Sequence, residues 1–314
     1  MATYTTANAV GEREDLVDVI TRIDPDETPL FSNAKLETTK GVFHEWQVQE
    51  LAAANSGNAV NEGIDFSYVN PTATTRLGNY HQIAVNAASV SGTLDSVDKA
   101  GRDKETAYVK VLKGLEQRRD IEKGLGANEA RNASDTRKAG KIMSYMTNQS
   151  VVSPSTTPTG DGSNVSDLAG TNAALTLAKI DDAMQLAYTD GGQPDIMVLS
   201  PTNKVNFSDL NSGSAVTNQL HMTSPKEATI IGSVSMYLTD FGMLNVTIDR
   251  FTEDDRIFLM DSNYYSIGHL PGRMFSVQDV APTGDATKFA ILSEWTYIPK
   301  APKAHAIVAD LNGS

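Results

Sequence analysis

Chemistry in a chain without cysteine has to come from its five histidines, its 39 Asp and Glu side chains, or hydroxyls and lysines activated by them. Disulfides, thiolate metal sites and cysteine nucleophiles are excluded at once. His44, His81, His221, His269 and His305 stand far apart. None of the spacings that bring two imidazoles onto one zinc ion is present. They read as ordinary surface or partly buried histidines. The acidic runs Asp181-Asp182 and Glu253-Asp254-Asp255 lack the alternating ligands and glycine of a calcium loop. The first reads as charge in the first turn of a helix and the second as a turn. A cation shared between subunits at such acids is the sharper alternative.

Other motifs fail on context. Asp240-Phe241-Gly242 matches the kinase triplet in letters, but the glycine-rich loop, strand lysine and catalytic-loop signature are all absent. It lies between two β-runs and reads as a turn. Gly160-Asp161-Gly162 follows no strand and opens no helix, so it is not a phosphate loop. No Gly-x-Ser-x-Gly occurs, and no pair among the many carboxylates stands out as an acid/base couple. Basic residues interleaved with aromatics, as nucleic-acid readers use, are missing. The reading is a non-enzyme with no catalytic residues, no cofactor and no metal.

What remains is the set of elements, and what they could position. At 314 residues, with 40% hydrophobic and 21% charged residues, the chain is long enough for one large domain or two modest ones. No run approaches the length needed to span a membrane, and Met1–Thr6 does not begin like a signal peptide. Residues 1–35 have weak periodicity and the breakers Asp24-Pro25 and Thr28-Pro29, which predicts an arm that orders on a partner. A short helix over Gly11–Arg22 would put Leu16, Val19, Ile20 and Ile23 on one face. Gly41–Gln49 alternates, with Val42, His44, Trp46 and Val48 on one side, and a second strand-like run spans Arg76–Val90. Together they predict a long open hairpin that needs another surface to lie on.

Asp98 to about Leu125 turns helical, with Tyr108, Val111, Leu112 and Leu115 as its apolar stripe and favourable pairs at Glu116/Arg119 and Asp120/Lys123. Such a helix would be about 40 Å long, ending near Gly124 and Gly126. Ser153–Ala173 reads as a surface loop. Beyond it, Thr176 caps a helix bearing Leu177, Ile180, Met184, Ala187 and Tyr188, closed by Gly191-Gly192. Ile196–Leu199 is a strand, and Pro201 opens another helix. The last third is a string of β-runs: Val234–Leu238, Leu244–Asp249, Arg256–Met260, Tyr264–Gly268, Lys288–Tyr297 and Ala304–Val308.

The wording of that last third resembles the major capsid (head) proteins of tailed bacteriophages. The resemblance is carried by Thr239-Asp240-Phe241-Gly242, Thr283-Gly284-Asp285 and Lys303-Ala304-His305-Ala306-Ile307-Val308-Ala309-Asp310-Leu311. It implies the α+β major-capsid fold shared with encapsulins. On that pattern residues 1–35 are the N-terminal arm and 36–92 the extended loop. Residues 93–149 and 262–314 form the peripheral domain, with a spine helix at about 98–125, and 150–261 the axial domain. Lys288–Leu311 would complete the long peripheral sheet. The implied function is a structural subunit that assembles with itself, as pentamers and hexamers, into an icosahedral head around double-stranded DNA in the bacterial host cytoplasm. Scaffolding, portal and decoration proteins are the further partners that reading admits. Some relatives lock the shell through a lysine of the extended loop, but no lysine lies between Gly41 and Asp98, so a shell held without covalent links is expected. With strand pattern from about Gly41, any scaffold is expected to be a separate protein.

Charge supplies the candidate contacts. Lys99–Lys141 holds 12 Lys/Arg against 7 Asp/Glu, a net +5 in a chain of net −13, so the remainder carries −18. Residues 1–50 hold 10 acids and 4 bases. A solvated helix face is the plain reading. The sharper one is that Arg118, Arg119, Lys123, Arg131, Arg137 and Lys138 meet acidic arms or loops of neighbouring copies, with Trp46 and Arg76 of the hairpin as further contacts. Negative charge on the inner wall would let packaged DNA slide without sequence-specific contacts. Three other readings compete: an encapsulin-like shell around a protein cargo, a two-domain α+β enzyme with a diffuse site, and another virion part such as a tail or decoration protein.

Overall fold

The computed structural model of the chain describes residues 24–150, 156–166, 168, 172–212, 221–224, 227–229 and 235–312. The helix expected over Gly11–Arg22 lies outside them. A short helix α1 (Pro29–Asn33) leads into β1 (Lys35–Thr38), β2 (Phe43–Val48), β3 (Thr75–Tyr80) and β4 (Gln82–Ser91). Next come α2 (Gly92–Ser96), the long α3 (Glu105–Leu125), α4 (Ile142–Tyr145) and the two-residue β5 (Gln149–Ser150). The middle of the chain gives α5 (Leu177–Thr189), β6 (Ile196–Leu199), α6 (Pro201–Ser212), β7 (His221–Ser224) and β8 (Glu227–Thr229). Seven strands finish it: β9 (Met236–Thr239), β10 (Gly242–Ile248), β11 (Arg256–Met260), β12 (Tyr265–His269), β13 (Ser276–Val280), β14 (Ala286–Pro299) and β15 (Ala306–Ala309).

Two sheets organise the molecule. In the first, β14 is the 14-residue axis: β4 runs along one edge, and β13 and then β12 along the other, with β1 beyond β12. Helix α3 lies across this sheet, where the Gln117 amide donates to the Ala84 carbonyl at 2.7 Å and Lys110 meets Asp279 at 3.0 Å. The second sheet has the order β5-β15-β11-β6-β10-β9. Its central strands, Ala306–Ala309, Arg256–Met260 and Ile196–Leu199, are buried at every residue. Side chains alternate across a strand, so this sheet feeds two cores at once. Ile196, Val198, Phe258, Met260, Ile307 and Ala309 join Ile121, Leu125, Trp295 and Tyr297 on the α3 side. Met197, Leu199, Ile257, Leu259, Ala306 and Val308 pack against Ile180, Met184, Ala187 and Phe207 of α5 and α6. A strand buried on both faces is apolar except where a buried polar group finds partners, as Arg256 does on Asp255 and the Gly126 carbonyl, so these segments read as short, nearly unbroken apolar runs.

Local signals hold where they are strongest. Thr176 caps α5, its hydroxyl accepting from the Lys179 N–H at 3.4 Å, and α6 opens on Pro201. Asp240-Phe241 is the two-residue turn between β9 and β10, where Thr239 pairs with Gly242. β2 and β3 form the open hairpin, Phe43 opposite Tyr80 and Val48 opposite Thr75.

Several expectations are corrected. α3 starts at Glu105, seven residues later than read, because Gly101 adopts a left-handed φ of 77° and Lys104 is extended. At 21 residues it is about 32 Å long. Its buried side is Gln117, Ile121 and Leu125, at i, i+4 and i+8, whereas Val111 of the expected stripe is 64% exposed. Asp120 accepts from Asn86 and Glu116 pairs with Lys113, in place of the partners expected for them. The run Arg76–Val90 breaks at His81, whose N–H donates to the Val42 carbonyl. Strand β13 carried no legible signal. Finally, Lys288–Leu311 does not complete one sheet. The chain leaves the first sheet after Pro299 and passes through a turn at Pro302–Ala304, so that β15 enters the second sheet between β11 and β5.

Candidate assembly surfaces

Histidine chemistry resolves into packing. His81 and His305 are completely buried, more deeply than expected for either. His81 donates through Nδ1 to the Val42 carbonyl at 3.0 Å and meets the Thr39 hydroxyl at 2.8 Å through Nε2, which pins the root of the hairpin to the end of β1. Burial holds its pKa below the ordinary value. His44 lies beside the Trp46 ring at 6.0 Å. Among the described residues no group of three or more His, Asp or Glu side chains converges as a metal site would require.

His305 accepts the Asp261 N–H at Nδ1 over 3.0 Å, and its Nε2 has no partner. Burial pushes its pKa down to about 4. The folded value is thus below that of the unfolded chain. The stabilisation it gives is complete above about pH 6.5 and is lost as pH falls toward 4, by at most about 3 kcal/mol. Melting temperature measured across pH 7 to 4 should fall, and His305→Asn, which keeps an acceptor for Asp261, should flatten the fall.

The candidate contact residues divide into two groups. Arg118 donates to the Ser32 hydroxyl at 2.7 Å and covers the Phe31 ring at 5.3 Å, so it holds the chain's own α1. Arg131 donates to the Gly78 carbonyl, stands 3.7 Å from Asp161 and covers Phe43. Arg137 reaches the buried Glu294 at 3.0 Å, and Arg273 grips the same carboxylate at 2.5 Å. Lys138 pairs with Glu129 at 2.8 Å and Arg76 with Glu45 at 3.4 Å. Trp46 packs half-buried against Tyr145, ring to ring at 6.0 Å. Six of the eight therefore have hydrogen bonds, ion pairs or core packing inside the subunit, and a seventh, Arg119, has a ring contact. Arg119 covers the Phe251 ring at 5.5 Å, and Lys123 is exposed. Charge counting along a sequence cannot separate Arg118, Arg131, Arg137 and Lys138 from Arg119 and Lys123, because all six are basic residues of one helix and its following loop.

One fastening escaped the sequence reading. The buried Glu122 carboxylate accepts the Leu30 N–H at 2.6 Å and the Phe31 N–H at 2.8 Å, clamping the first turn of α1 to α3. Burial pushes its pKa up to about 8, against the pull of those two N–H groups and Arg118. A lone Glu in a helix gives no sequence signal for such a role.

The hairpin has the opposite character. Every residue from Gln49 to Thr74 is exposed. Leu51 is 97% exposed, Tyr68 93%, Val69 88% and Phe66 79%. The described part of the chain offers nothing that covers them. Large apolar side chains this bare, in one 26-residue excursion, mark a surface made for contact with another molecule.

A long helix on a long sheet, a two-core second layer and an uncovered excursion define a shell-subunit fold of the kind found in phage capsids and encapsulins. The cyanophage A-1(L) capsid subunit superposes with a TM-score of 0.66 at 13% identity, over 98% of each chain. The holo-SrpI encapsulin from Synechococcus elongatus PCC 7942 gives 0.57 at 8% identity, over 97% of this chain and 94% of that one. In sequence, the major capsid protein of Escherichia phage Phieco32 is 25% identical over 312 residues, spanning 96% of this chain and 87% of that protein. The SU10 major capsid protein family profile matches residues 2–312. The chain belongs to the SU10 major capsid protein family, and it is a structural capsid subunit.

Proposed function

We propose that copies of this subunit assemble as pentamers and hexamers into the icosahedral head that encloses double-stranded DNA, in the cytoplasm of the bacterial host. The observation that carries this reading is the bare apolar excursion Gln49–Thr74. Its interaction free energy is realised only on another copy. The outward face of the first sheet, where Ile83 and Val85 of β4 are about half exposed, is a surface of matching character. Residues 1–35 act as the arm, 36–92 as the extended loop, 93–149 with 262–314 as the peripheral domain and 150–261 as the axial domain. The phage G structure, described with decoration proteins beside its major capsid proteins, supports admitting a decoration protein as a further partner.

Purified particles treated with nuclease and then opened test the reading. Protected double-stranded DNA is the expected content. A protein cargo without DNA would move the assignment to an encapsulin-like compartment. Boiled and denatured particles should run as a single band of about subunit mass, 33.7 kDa. A ladder of multimers would contradict the shell held without covalent links.

A further inference from the structure

Two exposed clusters of opposite charge lie at opposite ends of β10, which is seven residues or roughly 20 Å long. At its start, the turn residues Asp240 and Phe241 meet the outer face of α5. Phe241 stands 5.4 Å from the Tyr188 ring, and Asp240 and Asp182 both act on Asp181. Asp182, Asp240 and Tyr188 are exposed, Tyr188 by 50%. Tyr237 donates to Asp181 at 3.2 Å, yet burial and the two neighbouring aspartates still push the Asp181 carboxyl up. Three like charges held together cost the free subunit energy that a cationic partner would recover.

At the other end of β10 the chain turns past Asp249, and Arg250 is exposed. Beside it Arg119 covers Phe251, and Lys123 projects one turn further along α3. Asp120, which accepts from Asn86 of the sheet, and Glu253 are exposed carboxylates on this end, outnumbered by Arg119, Lys123 and Arg250. Of the contact candidates, Lys123 is exposed and Arg119 is half-buried over Phe251.

We propose that the acidic, aromatic end of β10 in one copy docks on the basic end, Arg119, Lys123 and Arg250, in the next. Complementary patches at opposite ends of one element cannot satisfy each other within a subunit. Two arrangements join one end to the other in a second copy, a reciprocal two-fold pair and a head-to-tail repeat, and only the repeat builds rings. The patches fit a head-to-tail contact, which repeats around a ring. The partner is a second copy of this chain. The inference rests on the shell reading and names the surfaces that would join neighbours within one ring.

Charge reversal and its rescue test it. Asp182→Lys with Asp240→Lys, and separately Lys123→Glu with Arg250→Glu, should each lower particle yield at least tenfold. All four positions are exposed, so far-ultraviolet circular dichroism and thermal unfolding should match the parent. The four-fold variant, with the charges exchanged, should recover particles. An equimolar mixture of the two double variants should form alternating oligomers, seen as large species by sedimentation velocity. Parental particle yield from either double variant would overturn the proposal. So would folded double variants whose mixture and four-fold combination remain isolated subunits while the parent assembles. Failure of the parent itself to assemble would instead count against the shell reading.

Discussion

Trp295→Ala is expected to cost the subunit about 3–5 kcal/mol of unfolding free energy, the range for removing a large aromatic from a packed core. Trp295 is 1% exposed and lies at the centre of β14, where α3, α4 and both sheets meet. The helix position above it is Gly124, whose backbone comes close enough that a Cβ there would already touch the indole at 3.4 Å. Lys141 is buried beside it, its ammonium 4.4 Å from the ring centre and hydrogen-bonded to Gln82 at 2.6 Å. Burial pulls the pKa of that lysine down to about 8, against the pull of Glu129, and the indole face and the Gln82 amide oxygen are its immediate partners. Removing the ring opens a cavity and strips the lysine of a partner together. Urea unfolding of dissociated subunits should show the loss as a lower midpoint, and Trp295→Phe should recover more than half of it. An alanine variant within about 1 kcal/mol of the parent would mean that this junction is not the core of the fold.

Shortening the hairpin should separate folding from assembly. Replacing Gln49–Thr74 with Asn-Gly joins Val48 directly to Thr75 across the pair they already form, in the two-residue loop that suits antiparallel strands. No described core residue lies in the deleted stretch, and the one ion pair lost, Lys303 with Glu50 at 2.7 Å, is exposed. Exposed pairs contribute about 0–1 kcal/mol, so the subunit should melt within a few degrees of the parent. Particle formation should nevertheless fall below detection by sedimentation, because the bare apolar surface is gone. Parental particle yield from the shortened chain would show that the excursion is not an assembly surface.

Much of this was legible in the sequence, for identifiable reasons. Strands buried on both faces, such as Ile196–Leu199 and Ile257–Met260 of β11, declare themselves because they are continuous apolar runs. The Thr176 cap and Pro201 start read correctly because local hydrogen-bonding rules settle them. The hairpin was legible from its alternation together with the rule that a two-stranded ribbon is marginal in water without another surface. The start of α3 was misread because Gly101 could be tolerated in a helix, and only tertiary placement decides its left-handed turn. Its buried face was misread because a polar residue, Gln117, occupies the contact with β4, where apolar periodicity sees nothing. The same blindness hid Glu122. Sequence located the basic stretch, but only packing shows that Arg118, Arg131 and Arg137 hold the subunit together, while Arg119 lies half-buried over Phe251 and Lys123 is exposed.

The central claim is that this fold is completed by copies of itself. Negative-stain electron microscopy of the protein purified from the cells that produce it tests that most directly. Closed shells of uniform diameter, built of repeated capsomers, are the predicted result. Fields of folded monomers or dimers, without shells or rings at any protein concentration, would contradict the account.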